Sequence, residues 1–298
     1  RRGAPMNDAT SPAQPARRSR FLALSGTARA AALIGATLVL GLACMAILAP
    51  QFSPYDPAER VGPPFSPPST AHLLGTNDIG QDILSELIYG ARVSLSVGVS
   101  AAALSTALGT VVGLLAGYYR RLEHWLMRLA DVVLVLPFLP LLIVLAAYVG
   151  RSLTNTVIII SLLLWAGTAR LIRSQTLALS QREFVLAAAT VGCTRGRILR
   201  RHIWPHVTFL VISEFLRATT TVILLEVSLS FLGLGDPLQK SWGAMLYWAQ
   251  ARGAFLTPAW AWWVLPPGLS IGAVALGFAL IGFALEEIVN PRLRNGGA

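Results

Sequence analysis

Three ionisable side chains lie within one otherwise apolar stretch of this sequence, residues 207–232, and they are its first candidates for chemistry. Glu214 and Arg217 stand three positions apart, so on a helix they share one face and can form an ion pair. A charge near the centre of a bilayer costs about 2.5–3.5 kcal/mol, so such groups usually face a partner or a water-filled path. Two roles stay open for this pair: a structural ion pair against another subunit, or a contact with a solute that crosses the membrane. Glu226 lies nearer the other end of the stretch and is a candidate for a subunit interface.

The sequence lacks the motifs of several common enzyme classes. A P-loop needs Gly-Lys-Ser or Gly-Lys-Thr so that its lysine reaches the phosphates, but the one lysine of the chain, Lys240, follows Gln239. No H-E-x-x-H, G-x-S-x-G or C-x-x-C motif occurs, and Cys44 and Cys193 give no disulfide framework. We therefore expect no catalytic residues and no cofactor. We expect no metal site either, since His72 is a lone histidine.

A second candidate region is the polar segment 170–206. It begins with a predicted helix from about residue 182 to 191, which Gly192 can end. One face of this helix holds Phe184, Ala187, Ala188 and Val191. A second amphipathic segment follows and ends at Pro205. Its apolar face holds Ile198, Leu199, His202 and Ile203. Its basic face holds Arg197, Arg200 and Arg201. This pattern suits docking onto another protein, and it suits equally a hairpin lying on anionic lipid.

The elements that position these groups are long apolar stretches. Of the 298 residues, 54% are hydrophobic and 13% are charged, about half the usual charged share of a soluble domain. About 20 apolar residues span the hydrocarbon core of a bilayer, so we predict an all-α polytopic membrane protein and exclude a disordered chain. The six predicted spans are residues 30–49, 93–117, 132–149, 154–168, 207–232 and 264–285.

Local residue types refine this prediction at three places. The first apolar stretch is longer than the core of a signal peptide, so it predicts a span. Asp82 is a candidate N-cap for a short helix to about Tyr89. Small residues in the second span would let other helices approach closely.

The basic residues predict the orientation. The chain has 24 basic and 14 acidic residues, an excess that in a soluble protein would suggest nucleic acid, but here it bears on topology. With both termini in the cytoplasm, eighteen basic residues lie inside and five outside. We thus predict a cytoplasmic basic and disordered tail at 1–29 and a cytoplasmic tail at 286–298. An extracytoplasmic loop is predicted at 50–92, and a core at 93–285 includes the cytoplasmic segment 170–206.

The segment 170–206 carries a resemblance to a known family. Glu183, Ala187-Ala188-x-x-x-Gly192 and Pro205 resemble the cytoplasmic "EAA" loop of ABC importer permeases. Segments 74–82, 90–95, 230–235, 241–243 and 291–294 are similar to the dipeptide, oligopeptide and nickel branch of that family. An N-terminal helix followed by Ala49-Pro50 and Tyr55-Asp56-Pro57 is typical of its C-type subunit. Gln81 departs from the pattern, since the family usually has arginine there.

The resemblance implies a type I ABC importer permease fold in a bacterial or archaeal plasma membrane, and a transport role without enzymatic activity. It implies a second homologous permease, two cytoplasmic ATP-binding subunits and an extracytoplasmic substrate-binding protein as partners, beside membrane lipid and without nucleic acid. The expected solute is a short peptide, with a nickel chelate, glutathione or another small solute as alternatives. The residues expected to couple to the ATPases are Glu183, Ala187, Ala188, Gly192, Arg197, Arg200 and Arg201.

Two other classes of function compete with an importer subunit. A stand-alone secondary carrier would favour internal repeats, and the sequence shows no convincing one. An intramembrane enzyme would need a constellation of catalytic groups within the spans, where residues 207–232 offer only Glu214, Arg217 and Glu226.

Overall fold

The computed structural model describes residues 25–289, and this part of the chain is built from helices. Its one strand-like pairing, among the described residues, is an isolated bridge between Thr76 and Asp82. The α-helices are α1 (Gly26–Ile47), α2 (Ala49–Phe52), α3 (Ile83–Tyr118), α4 (Arg120–Val135), α5 (Phe138–Val149), α6 (Leu153–Ser180), α7 (Glu183–Thr190), α8 (Arg195–Ile198), α9 (Trp204–Phe231), α10 (Trp242–Ala251) and α11 (Leu265–Val289). The predicted all-α fold is confirmed. Most of the predicted N-terminal tail, and Arg292 and Arg294, lie outside the described residues.

Five helical stretches are long and apolar enough to cross a membrane. They are Gly26–Ile47, Ile83–Tyr118, Leu153–Ser180, Arg195–Phe231 and Trp260–Glu287. A sixth candidate span is the pair α4 and α5, which are bent by 88° relative to each other. The structure therefore supports five or six spans, and the predicted six requires the bent pair to count as one.

The predicted span 132–149 is not a straight helix. Leu136 has extended backbone angles and Pro137 separates α4 from α5. The proline ring disfavours a helical conformation of the residue before it and removes a backbone donor. Because the break falls inside the apolar stretch, hydropathy alone reads one span where the backbone turns through nearly a right angle.

Two helices run further than the sequence predicts. The Asp82 carboxylate does cap a helix, accepting a hydrogen bond from the Ser85 backbone N–H at 2.9 Å. That helix does not end near Tyr89. α3 is 36 residues long, about 54 Å, and Gly90 within it packs against Trp242. The second of these helices, α6, extends to Ser180 and so includes the first eleven residues of the segment predicted as a cytoplasmic loop.

Close packing of α3 on α6 forms the centre of the bundle, and α3 meets α6 through a row of glycines at every fourth position. A β-carbon at Gly113 would lie 2.7 Å from the Ala169 carbonyl oxygen, and one at Gly117 would lie 2.6 Å from Thr176 Cβ. No side chain other than hydrogen fits at this spacing. The prediction that small residues in the second span allow close helix approach is confirmed.

The first span lies at the edge of the bundle. α1 packs along α11, where Gly35 and Gly277 allow the two backbones to approach. Large apolar side chains of α1, such as Leu33 and Leu40, are more than half exposed. In a membrane these faces suit lipid or a neighbouring subunit.

α3 runs from one end of the bundle to the other. Its first turn lies beside the loop that contains Asp82 and beside α10. Its last residues, Leu114 and Tyr118, contact the apolar cluster under α7 and α8. We call these the α10 end and the α7 end.

Candidate functional site

The segment that joins α6 to α9 is a helix, a turn and a second helical segment, as the sequence predicts. α7 ends in a glycine turn in which the Gly192 N–H donates to the Ala189 carbonyl and the Cys193 N–H donates to the Ala188 carbonyl, each at 3.1 Å. This is a Schellman motif, which needs a left-handed residue after the helix. Gly192 has φ +86°, and a β-carbon there would meet no atom within 4 Å. The glycine is therefore required by the backbone angle and not by lack of space.

The side of this segment that faces the bundle is apolar and consists of Val185, Ile198 and Ile203. These residues form one cluster with Ile172 and Leu179 of α6 and with Val207 of α9. The buried apolar side of the second segment agrees with the sequence. The cluster fixes the segment to the ends of two long helices, α6 and α9.

The opposite side presents the predicted docking residues to the surroundings. Val191 is 84% exposed, and Phe184 is 41% exposed and stacks on His206 at a ring separation of 5.2 Å. Exposed residues also include Glu183, Ala187, Gly192, Arg197, Arg200 and Arg201. Ala188 differs, because it is half-buried and packs against the inner cluster.

The three arginines of the second segment lack carboxylate partners within the described part of the chain. Arg200 and Arg201 belong to a π-helical turn, residues Leu199–Ile203, that precedes α9. Such turns often occur at functional sites. The outer surface is thus small and apolar on α7 and basic beside it, with its charges available to another molecule.

Glu214 and Arg217 form the ion pair that their spacing predicts. Arg217 Nε donates to Glu214 Oε2 at 2.9 Å, and a second guanidinium nitrogen contacts Oε1. Thr168 Oγ1 of α6 donates to Glu214 Oε1 at 3.1 Å. The Glu214 side chain is 5% exposed, whereas that of Arg217 is 67% exposed. The carboxylate therefore belongs to the bundle interior and the guanidinium projects from it.

Glu226 is not positioned to contact another subunit. It is 2% exposed and accepts hydrogen bonds from Ser94 Oγ at 3.2 Å and Ser230 Oγ at 2.8 Å. The interpretation of Glu226 as a subunit-interface residue is therefore wrong. Its carboxylate joins α3 to the end of α9 within this chain.

A charged network at the α10 end was missed by sequence reasoning. Lys240 Nζ donates to Glu86 Oε1 at 2.5 Å and to Gln81 Oε1 at 2.7 Å, and Asn77 donates to the same two oxygens. Glu86 is buried in the first turn of α3. The one feature of the sequence that could have indicated this network is the single lysine, Lys240, which the sequence analysis used only to exclude a P-loop. The lysine also meets Gln81, the position at which the sequence departs from the family pattern.

Two further ion pairs fasten α4 to α6. Arg170 contacts Asp131 at 2.6 Å, and Arg173 contacts Glu123. Both pairs lie where α6 continues through its charged residues. Within the described residues no group of three or more metal-ligating side chains occurs, and His72 Nδ1 instead lies 3.0 Å from Asp82 Oδ1.

Comparison with known proteins supports a transport role. A family model described as the binding-protein-dependent transport system inner membrane component matches residues 109–295. A di/tripeptide transport system permease of Pseudomonas aeruginosa is 36% identical over 273 residues, covering 89% of each chain. A dipeptide transport system permease of Alkalihalophilus pseudofirmus is 35% identical over 271 residues, 89% of this chain and 86% of that one. An oligopeptide transport system permease of Bacillus subtilis is 33% identical over 266 residues, 88% and 86%.

The matched region contains both the loop with the glycine turn and the Glu214–Arg217 pair. The relatives are named as permeases, a role that is not enzymatic. The chain belongs to the family of inner membrane components of binding-protein-dependent transport systems, the ABC importer permeases.

Proposed function

We propose that this chain is the permease subunit of an ATP-driven importer of short peptides. It forms half of the path with a second homologous permease, receives peptide from an extracytoplasmic binding protein, and is driven by two cytoplasmic ATP-binding subunits. The exposed α7 surface, held on a buried apolar cluster, is the observation that carries this proposal. The names of the relatives support the peptide as solute.

Coupling requires a rigid element that two proteins can move together. α7 is short, tied to α6 and α9 by Val185 and Ile203, and ends in a fixed turn. The small side chain of Ala187 allows close approach of a cleft in the ATPase, and the neighbouring arginines suit acidic groups on its rim. Closing of the ATPases would then shift the ends of the spans as a rigid body.

The Glu214–Arg217 pair supports a role on the solute path. In a span of this hydropathy, a guanidinium that is largely exposed beside its carboxylate partner needs water or another polar group for its remaining N–H donors. Glu214 orients the Arg217 guanidinium, and Thr168 holds Glu214. We therefore assign Arg217 to the path between the two permeases, where the N–H groups that Glu214 does not use donate to oxygen atoms of a passing peptide.

Reconstitution tests the proposed activity. The chain is co-expressed with the four other components, and uptake of labelled dialanine into vesicles is measured. We expect uptake that requires ATP, the binding protein and both ATPases. Uptake without the ATPases would indicate a secondary carrier. Uptake of a nickel chelate or glutathione, with none of any peptide, would reassign the solute.

The proposed orientation has its own test. It places the α10 end outside and α7 inside, as the basic residues indicate. In a background that lacks Cys44 and Cys193, Thr70→Cys should react with an impermeant thiol reagent added to intact cells. Gly196→Cys, an exposed position beyond α7, should react only after the membrane is opened. The reverse pattern would overturn the orientation.

A further inference from the structure

A cavity of about 390 Å³ opens at the α10 end, far from α7 and from the Glu214–Arg217 pair. Its walls come from four parts of the chain: residues 77–86, Arg151 before α6, the loop 233–240, and α10, with Trp263 beyond. The volume lies in the range of small-molecule sites, about 300–1,000 Å³. No role has been given to it so far.

Four of the charged groups in the cavity wall neutralise one another. Glu86 pairs with Lys240, and Asp78 pairs with Arg252 at 2.9 Å. Arg252 also lies over the Trp248 ring at 5.6 Å. These pairs shape the wall and leave no charge for a ligand.

One cation and one anion of the cavity wall have no ion-pair partner among the described residues. Arg151 is exposed and forms no ion pair within residues 25–289. The Asp236 carboxylate accepts the backbone N–H groups of Leu153 at 3.3 Å and Leu238 at 2.9 Å, and no cation of the described chain reaches it. The Leu153 contact brings Asp236 close to Arg151, which stands two residues earlier. A ligand that carries both charge signs satisfies the two groups together.

Trp263, another residue that lines the cavity, has a buried donor without an acceptor in the described chain. Trp263 is 1% exposed, and no group in the described part of the chain accepts a hydrogen bond from its Nε1–H. Buried indole N–H groups normally have a partner. A carbonyl or carboxylate oxygen of a molecule in the cavity would supply it.

We propose that this cavity binds a short zwitterionic peptide, with its carboxylate on Arg151, its ammonium group on Asp236 and an oxygen on Trp263. This inference rests on the proposed function and adds a peptide site to the permease itself, at the outer mouth. A single-sign ligand would leave one of the two charges unmatched. An inserted protein loop would offer neither free terminus.

Direct binding tests the site without transport. The full chain in lipid nanodiscs is titrated with labelled dialanine by equilibrium dialysis, in the absence of the binding protein. We expect saturable binding that Trp263→Phe weakens roughly tenfold, the effect of one hydrogen bond to a charged group. Trp262→Phe is the matched control, because its buried Nε1–H also lacks a partner in the described chain but Trp262 does not line the cavity. It should bind dialanine like the unchanged protein.

Peptides with blocked ends test each charge. Arg151→Gln should weaken binding of dialanine roughly tenfold but should not change binding of dialanine amide, which has no carboxylate. Asp236→Asn should behave in the same way toward N-acetyl-dialanine. No saturable binding by the unchanged chain, or equal loss in the Trp262 and Trp263 variants, would overturn the site. Uptake in vesicles separates the two proposals: normal peptide uptake without cavity binding refutes the cavity site alone, whereas absent uptake refutes the proposed function.

Discussion

The α7 end and the α10 end of the bundle use their charged residues in different ways. At the α10 end, Lys240 and Arg252 are paired with carboxylates of the same chain. At the α7 end, Arg197, Arg200 and Arg201 have no such partner among the described residues. The α10 end thus pairs most of its charges within the chain and leaves Arg151 and Asp236 for the proposed ligand, whereas the α7 end presents small and basic side chains outward. The difference supports the proposed contact of α7 with an ATPase and the proposed outer mouth at the α10 end.

The largest effect should come from removing the lysine of the α10 end. Lys240→Met leaves the buried Glu86 carboxylate without its cation, which costs on the order of 3 kcal/mol. We expect a lower midpoint of thermal unfolding in nanodiscs, with ATPase docking unchanged at a temperature where the chain is folded. Arg252→Met is the control, because the Arg252 side chain is half exposed and such pairs contribute about 0–1 kcal/mol. An equal loss of stability in both variants would contradict the comparison.

A smaller but functional effect is expected at the glycine turn. Gly192→Val forces a β-branched residue to φ +86°, at a cost of about 1–3 kcal/mol. The insertion level should stay the same while peptide-stimulated ATP hydrolysis and uptake fall, because the turn after α7 changes. Gly196→Val is matched, since it too meets no atom within 4 Å but lies in α8 with ordinary angles. If peptide stimulates ATP hydrolysis to the same extent in the two valine variants, the turn is not part of the coupling.

The next largest effect is expected from a bulky side chain on the outer face of α7. Ala187→Trp fills the proposed contact with the ATPase and should weaken docking by about 1.5 kcal/mol without changing the stability of the permease. Ala187 is a sharper choice than Ala188, which is half-buried and would also disturb the inner cluster. Ala189→Trp is the control, since position 189 is exposed but lies about 200° around the helix. Normal co-purification of the ATPases with Ala187→Trp would refute docking at this face.

The smallest effect is expected from the arginines. Neutralising Arg197, Arg200 and Arg201 together to Gln should reduce docking only about threefold, because exposed pairs often contribute no more than about 0.2 kcal/mol each. A hairpin on anionic lipid predicts the opposite order, with this variant more damaging than Ala187→Trp. Uptake measured at several contents of anionic lipid separates the two interpretations.

Local sequence patterns predicted the α7 end well. The helix, the glycine turn and the basic flank depend on residues within about twenty positions of one another, so periodicity and turn chemistry suffice. The i, i+3 spacing likewise predicted the Glu214–Arg217 pair. In contrast, the apolar run around Pro137 predicted one straight span, although the backbone bends by 88° there. Hydropathy carries no information about the direction of the backbone.

The sequence by itself determined the all-α membrane architecture, the approximate positions of the spans, and the family. Those properties follow from composition, run length and short motifs. Only the tertiary structure decided that Lys240 meets Glu86, 154 positions away, that Glu226 faces inward, and that Arg151, Asp236 and Trp263 share one cavity. The physical reason is that such contacts depend on how α3, α6 and α9 pack, and this packing is set by glycine rows and helix ends acting together.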